Sequence, residues 1–418
     1  MVTNNQIEKK RFEDFTNLEG VDIFDKARVL NEYLHESPES MLDGLGLAVT
    51  GSAKPQMSLL DGTSEHEVIM LGSNSYLNLT TRPEVVKAAN EACIKYGYGM
   101  GAVSLYTGIT ELHKELETAI ANFYGVEDAI VFPSGYGTNV GVISAICGAK
   151  DIIINDSANH ASIFDGSVLS GAELKIFPHR NMKRLEQVLC RLDKEKGKLI
   201  ITDGVFSMHG DIAPLDEIVR LADKYNARVM VDDAHGVGIV GPTGRGTAEK
   251  FGVTDKIDLH VGMLSKAPGG LGGYCAASKE VVQYLRLYCR SYFFSTALPA
   301  PTVAGLIEVF KLLSGDKAGR KRLWENIIYL KNCLQKEGFD TGESESGIIP
   351  IIVGDEERLA WFHRELVENG VYTNIVTYPA VRRKEARVRL CVMSTLSLEQ
   401  MDKALEIIIK AGEKCGVI

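Results

Sequence analysis

Two short segments carry an acid and an amine at positions where one cofactor needs both. Val229-Met230-Val231-Asp232-Asp233-Ala234-His235-Gly236 reads as a buried strand that delivers Asp232 at its carboxyl end, with His235 just beyond. Further along, His260-Val261-Gly262-Met263-Leu264 runs into Ser265-Lys266-Ala267, and Pro268-Gly269-Gly270 follows. A lysine held in so dry a turn has a lowered pKa, which suits imine formation and proton shuttling. A carboxylate nearby can keep a pyridine nitrogen protonated. Pyridoxal 5'-phosphate (PLP) asks for that pair: a lysine to hold its aldehyde as a Schiff base and an acid for its ring nitrogen.

Other residues fall at comparable positions. Ser134-Gly135-Tyr136-Gly137-Thr138-Asn139 follows an apolar strand and opens a helix, whose free N–H groups and dipole suit a phosphate. Asn159-His160-Ala161-Ser162 lies just past another strand, where the His160 imidazole can stack on a flat ring. Ser207, in Gly204-Val205-Phe206-Ser207-Met208, again sits beyond a strand. Near the C-terminus, Arg387-Val388-Arg389 lies on a strand, and one of the two arginines is expected to face inward as a clamp for a carboxylate. Each has a plainer reading: a helix cap, which Asp233 can also supply, a loop histidine, a surface ion pair. Their convergence on strand ends argues for a site, because open α/β sheets bind ligands there. Gly97-x-Gly99-x-Gly101 does not make a dinucleotide fingerprint. It follows a helical stretch, and Ala102 and Ser104 break the spacing. It reads as a glycine-rich loop lining a pocket.

The elements that must position these residues are legible as alternating patterns. Apolar runs at Ala129–Phe132, Asp151–Ile154, Lys198–Thr202, Arg228–Val231 and Leu259–Gly262 alternate with helical stretches at Pro83–Lys95, Met182–Leu192 and Leu215–Lys224. That predicts an α/β fold with a mostly parallel central sheet flanked by helices. After Pro299 and Pro301 come helices over 302–314 and 320–337, a strand at Ile348–Val353, a helix at Glu356–Glu368, a strand at Val388–Val392 and a closing helix from Ser397. These predict a smaller C-terminal α+β domain. The expected division is an N-terminal arm over 1–65, helical near Asp25–Leu34 and able to pack on a partner subunit, a large domain over 66–300 and a small one over 301–418.

Composition bounds the partners. The 418 residues carry a net charge of -9, which argues against nucleic acid or an anionic membrane. No apolar run is long enough to span a bilayer. Met1–Phe15 is polar, with Lys9, Lys10 and Arg11, and does not read as a signal peptide. The eight cysteines lack metal-ligand spacing and read as reduced residues, so no metal site and a cytoplasmic setting are expected.

The ordered set Ser-Asn-Ser-Tyr-Leu (73–77), Ser-Gly-Tyr (134–136), Asn-His-Ala-Ser (159–162), Asp-Gly-Val-Phe-Ser-Met (203–208), Val-Asp-Asp-Ala-His-Gly (231–236), Gly-Arg-Gly (244–246), Ser-Lys-Ala (265–267), Tyr-Phe-Phe-Ser-Thr (292–296) and Arg-Val-Arg (387–389) resembles the α-oxoamine synthases among the fold-type I PLP enzymes. The resemblance implies that Lys266 holds the cofactor and later removes the Cα proton, and that Asp232 faces the pyridine nitrogen. It further implies His235 and Ser207 at the phenolate oxygen, His160 on the ring, Ser134, Gly135, Tyr136 and Ser265 around the phosphate, and Arg389 with Asn74 at the substrate carboxylate. Thr296 would reach the neighbouring subunit's phosphate, which implies a homodimer with shared active sites. The implied reaction joins a small amino acid (glycine, alanine or serine) to an acyl thioester of CoA or an acyl-carrier protein, with loss of carbon dioxide, giving an α-amino ketone.

Several positions depart from the family pattern. Met263 replaces a threonine, Pro268 follows the lysine turn, His209 replaces an acidic residue, Asn78 a glycine, and Ser104 an arginine found in members that use CoA. They cluster where phosphate and acyl donor are expected. An aminotransferase of the same fold, or a non-catalytic subunit of a heteromeric synthase, are the competing readings.

Overall fold

The computed structural model describes Phe15 and residues 22–36, 46–61, 64–315 and 317–418. Of the polar stretch Met1–Phe15 only Phe15 belongs to that set, and parts of the expected arm also lie outside the described residues. The described N-terminal part holds α1 (Asp25–Glu36), then an antiparallel meander of β1 (Ala48–Val49), β2 (Gln56–Asp61) and β3 (Ser64–Met70). Next come α2 (Pro83–Tyr96) and α3 (Glu111–Tyr124), the latter begun by a Thr110–His113 capping box.

The central sheet has seven strands: β4 (Asp128–Phe132), β5 (Ile152–Asp156), β6 (Glu173–Phe177), β7 (Lys198–Asp203), β8 (Arg228–Asp232), β9 (Leu259–Met263) and β10 (Gly273–Ala277), in the order β4-β10-β9-β8-β7-β5-β6. Only β10 runs antiparallel to its neighbours, so the mostly parallel sheet is as the alternating pattern predicts. β7 and β9 are buried along their whole length, which continuous apolar runs covered on both faces require. Two strands escaped the pattern for opposite reasons. β6 is an edge strand (ELKIF) whose polar, half-exposed residues mask it, whereas β10 (GYCAA) is made largely of small residues.

Close approach explains two glycines. At Gly273 a Cβ would lie 2.5 Å from Thr138 Oγ1 and 3.0 Å from the Gly135 Cα, so only glycine lets the start of α4 (Gly135–Ile146) settle on the sheet. At Gly135 a Cβ would lie 1.9 Å from Met263 Sδ, because the methionine side chain covers that helix start. α5 (Ala161–Ser170) packs beside α4.

The C-terminal part opens with two long helices, Ala300–Gly315 and Lys317–Lys336, close to the expected ranges. It then holds β11 (Ile348–Ile352), the helix Glu356–Glu368, β12 (Val371–Tyr372), β13 (Asn374–Val376), β14 (Arg387–Cys391) and the helix Leu398–Lys414. β14 is the middle strand of a three-stranded sheet, with β11 and β13 on its two sides. β12, too short to read from sequence, pairs in parallel with β3, Val371 opposite Ile69. One apolar core, including Tyr76, Leu323, Phe362 and Val388, runs through both parts of the chain. Among the described residues no helix is long and apolar enough to cross a membrane.

Candidate active site at the carboxyl edge of the sheet

The parallel strands all end at one edge, and a cavity of about 180 Å³ opens there. Gly135, Tyr136, His160, Asp203, Ser207, Asp232, His235, Met263, Ser265 and Lys266 line it. Residues singled out at five separate strand ends are therefore brought to one place. Ser134 lies at the same helix start without lining the cavity; Asn74 and Arg389, bonded to each other, do not line it either, but the Arg389 charge acts on Lys266 and His235, which do. Thr296 is exposed and bridges Val103, and it is not among the residues lining the cavity.

The start of α4 is set by Ser134, whose Oγ accepts from the Gly137 N–H at 3.0 Å while its carbonyl accepts from Thr138. The helix N-terminus then leaves the amides of Gly135 and Tyr136 as donors for an anion. The Tyr136 ring stands edge-on to His160, with centroids 6.3 Å apart, and its hydroxyl donates to Asp165.

Asp232 lies at the floor, 4% exposed. Its Oδ2 accepts from Asn139 Nδ2 at 2.6 Å and its Oδ1 from the Ala234 N–H at 3.1 Å. Burial raises the carboxyl, while Asn139, His160 and the Ala234 amide draw it back. The second amide hydrogen of Asn139 goes to Ser162 Oγ at 2.9 Å. Ser162 in turn offers its main-chain N–H (3.2 Å) and its hydroxyl (2.7 Å) to His160 Nδ1. A main-chain N–H can only donate, so Nδ1 is the acceptor and the neutral imidazole carries its proton on Nε2. Burial, with Lys266 nearby, keeps that ring neutral. One chain of hydrogen bonds thus fixes both the carboxylate and the histidine tautomer.

His235 is buried beside Tyr76, whose Oη lies 2.8 Å from Nδ1. Burial and the charges of Lys266 and Arg389 push its pKa well below the usual histidine range, so it too is neutral. Lys266 is half-buried in a turn closed by the Gly269 N–H donating to its carbonyl at 2.9 Å. Burial and Arg389 lower its pKa, which favours the neutral amine as the dry setting suggested. Asp233 supplies the alternative role considered above: its Oδ2 caps the Thr247 N–H at 2.5 Å and fixes the following loop.

The expectation that one arginine of the 387–389 pair turns inward needs correcting. Residues two apart on a strand share a face, and both are buried, at 2% and 6% exposure. Arg387 is consumed structurally, donating to the carbonyls of Glu385 and Met208 and pairing with Glu385. Arg389 donates to Asn74 Oδ1 at 3.1 Å, and its Nε is buried with no partner among the described residues.

His209 stacks on His179, with ring centroids 5.1 Å apart. These two and Asp211 could together face a cation. The His179 nitrogens, however, are engaged by Asp156 (3.0 Å) and Asp211 (2.8 Å), and Arg180 shares Asp211 at 3.1 Å. The group is a strut that ties the Ser207 loop to the end of β5.

The donor set fits PLP. Two free amides at a helix start match a phosphate, a buried carboxylate matches a pyridinium, and an amine disposed to be neutral matches an aldehyde. This is a fold-type I PLP transferase site. The comparisons narrow it. The aminotransferase class I and II family model matches residues 66–408. The 8-amino-7-oxononanoate synthase of Thermoanaerobacter pseudethanolicus is 45% identical, over 89% of this chain and 94% of its own. The 4-hydroxy-2,2'-bipyrrole-5-methanol synthase PigH of Serratia sp. is 40% identical over 97% of this chain, but the match spans only 62% of that longer protein. Among solved structures, the serine palmitoyltransferase of Sphingomonas wittichii superposes with a TM-score of 0.91 at 34% identity, over 96% of this chain and 100% of that one. The chain belongs to the class I and II aminotransferase family, as one of its α-oxoamine synthases. It is a PLP-dependent enzyme of decarboxylative condensation.

Proposed function

We propose that the protein condenses glycine, alanine or serine with an acyl thioester, carried by CoA or an acyl-carrier protein, and releases an α-amino ketone and carbon dioxide. The observation that carries this reading is Arg389: a buried guanidinium, beside Asn74 and near Lys266, with an unpartnered Nε and no carboxylate among the described residues to pair with. A buried cation left open costs several kcal/mol unless a ligand neutralises it, and an amino-acid carboxylate does so bidentately.

The roles follow from position. Lys266 holds the cofactor and then moves the Cα proton. Asp232 faces the ring nitrogen, His160 lies against the ring, and His235 and Ser207 hold the phenolate oxygen. Ser134, Gly135, Tyr136 and Ser265 surround the phosphate. When bound, PLP supplies the electron sink that makes the Cα carbon nucleophilic. The chain's own contribution is to orient the carboxylate through Arg389 and Asn74, to keep His160 and His235 neutral, and to lower the pKa of the Lys266 amine. Thr296, exposed and not lining the cavity, is assigned to the partner's phosphate in a homodimer with shared active sites. We also assign residues 66–300 to the cofactor domain, 301–418 to the small domain and 1–65 to an arm, and place the enzyme in the cytoplasm.

The test is a visible-absorption titration with each amino acid, with and without CoA and carrier-protein thioesters, followed by mass spectrometry of products. A spectrum that responds to one amino acid, with an α-amino ketone formed only when a thioester is added, is the expected result. Turnover driven by a 2-oxo acid without any thioester would instead establish an aminotransferase. A protein that takes up no cofactor would establish a non-catalytic subunit.

A further inference from the structure

Two carboxyls, not one, stand at the floor of the cavity. Asp203 ends β7 and Asp232 ends β8, paired across the parallel ladder. Both line the cavity and both are 4% exposed. Two buried carboxyls at the ends of adjacent strands oppose each other's ionisation, and the surrounding donors favour the charge on one of them.

The donors are distributed unequally. Asp232 receives the Asn139 amide on one oxygen and the Ala234 N–H on the other. Asp203, by contrast, has its Oδ1 buried with no partner among the described residues. A bare carboxylate oxygen in that position costs more than a bare carbonyl oxygen of a neutral acid. The Asp203 main-chain N–H is itself fixed, donating to Asn159 Oδ1 at 2.8 Å, next to His160 in sequence.

We propose that Asp203 is a second, neutral acid of this active site: it keeps its proton while Asp232 carries the charge, and its main-chain N–H, donating to Asn159 Oδ1, braces the loop that carries His160. The charged groups facing it are Asp232 from β8, Asp156 from β5 and Lys266 after β9. Two of the three are carboxylates that oppose a further negative charge, and only Lys266 favours it. Burial and Asp232, in that order, push the Asp203 carboxyl well above the usual aspartate range. The consequence for the cofactor, that one negative charge and not two meets the ring nitrogen, rests on the role given to Asp232 above. The protonation itself does not.

The decisive experiment is infrared difference spectroscopy, wild type minus Asp203→Asn, in H2O and D2O at pH 7. Asp233, which burial pushes up to about 7, is present in both proteins, so its band cancels in the difference. A protonated-carboxyl carbonyl band that shifts in D2O is expected in the difference spectrum. A difference spectrum without that band overturns the proposal. Stability provides a readout independent of cofactor loading. A carboxyl whose folded pKa is raised weakens the fold as pH climbs above the unfolded aspartate value of about 4. Asp203→Asn should therefore gain melting temperature over wild type at pH 8 and not at pH 4, and an equal change at both values refutes it. These outcomes hold whichever thioester or amino acid the enzyme proves to use.

Discussion

His179 gives the strongest pH test of how this site is braced. Burial by itself would lower its pKa, but hydrogen bonds to Asp156 and Asp211, and the charges of both, outweigh burial and raise it to about 9. The same pairing holds Asp211 below the usual carboxylate range despite its burial. His209, stacked alongside, is kept neutral by burial and by Arg387, so the charge resides on His179. A rise from 6.5 to about 9 is worth about 3 kcal/mol of folding free energy. The sign follows from the direction: a group whose folded pKa is raised stabilises fully below its unfolded pKa and loses that contribution as pH climbs through the folded value. His179→Gln keeps a polar side chain but no charge. The stability gap between wild type and variant should therefore be widest near pH 6 and close by about 3 kcal/mol on going to pH 10. If 418 residues melted as one unit, this would be a melting-temperature difference of about 3–4 °C. The assay is thermal and urea unfolding of both proteins across pH 6–10. A gap that is flat with pH would mean that the strut carries no charge, and a gap that widens with pH would reverse the sign argued here.

Four further outcomes follow from the geometry. Lys266→Ala should leave the circular dichroism spectrum intact but abolish both product formation and covalent trapping of the cofactor by borohydride, which mass spectrometry of the peptide checks. Arg389→Lys should raise the KM for the amino acid about 10- to 100-fold by losing a charge-assisted fork, with cofactor affinity read separately by absorbance. Gly135→Ala drives a Cβ into Met263 Sδ and should cost about 1–3 kcal/mol, relieved when Met263→Ala is added; a double variant no better than the single refutes the contact. Met263→Thr exchanges the thioether over the α4 start for a hydroxyl and should tighten PLP about 3- to 10-fold in equilibrium titration.

The parts of the site that sequence could show share one property. Asp232, Lys266, His160 and Ser207 each follow an apolar run, and in a parallel sheet the ends of such runs meet at one edge whatever the strand order. Knowing the order was unnecessary; knowing the runs was enough. The same logic explains the strands that were missed, since β6 and β10 lack the apolar signature and contribute no side chain that depends on it. It also explains the arginine error. Alternation was applied to two residues that share a face, and only the packing of β14 between β11 and β13, with Met208 and Asn74 opposite, shows what each arginine meets.

The residues that were missed act through another residue, and their partners lie far away in the chain. Asn139 stands 93 positions from Asp232, and Tyr76 stands 159 from His235. A hint was present: Asn139 is the one amide in a helix that continues Val-Gly-Val-Ile, and a polar group inside an apolar face implies a buried partner. The sequence does not say which partner. That matters chemically, because each of its two amide hydrogens has a separate task, one on Asp232 and one on Ser162 behind His160. Replacing Asn139 with leucine removes both at once and leaves the Asp232 carboxylate with one donor, a loss of about 1.5–3 kcal/mol for a hydrogen bond to a charge. Replacing Ser162 with alanine removes only the histidine branch. If the chain of bonds works as the geometry requires, the first variant disturbs both cofactor affinity and the pH profile of binding, whereas the second moves the profile and leaves affinity nearly alone. Equal effects from the two would mean that Asp232 does not depend on Asn139, and that the unequal sharing of donors between Asp232 and Asp203 does not decide the charge.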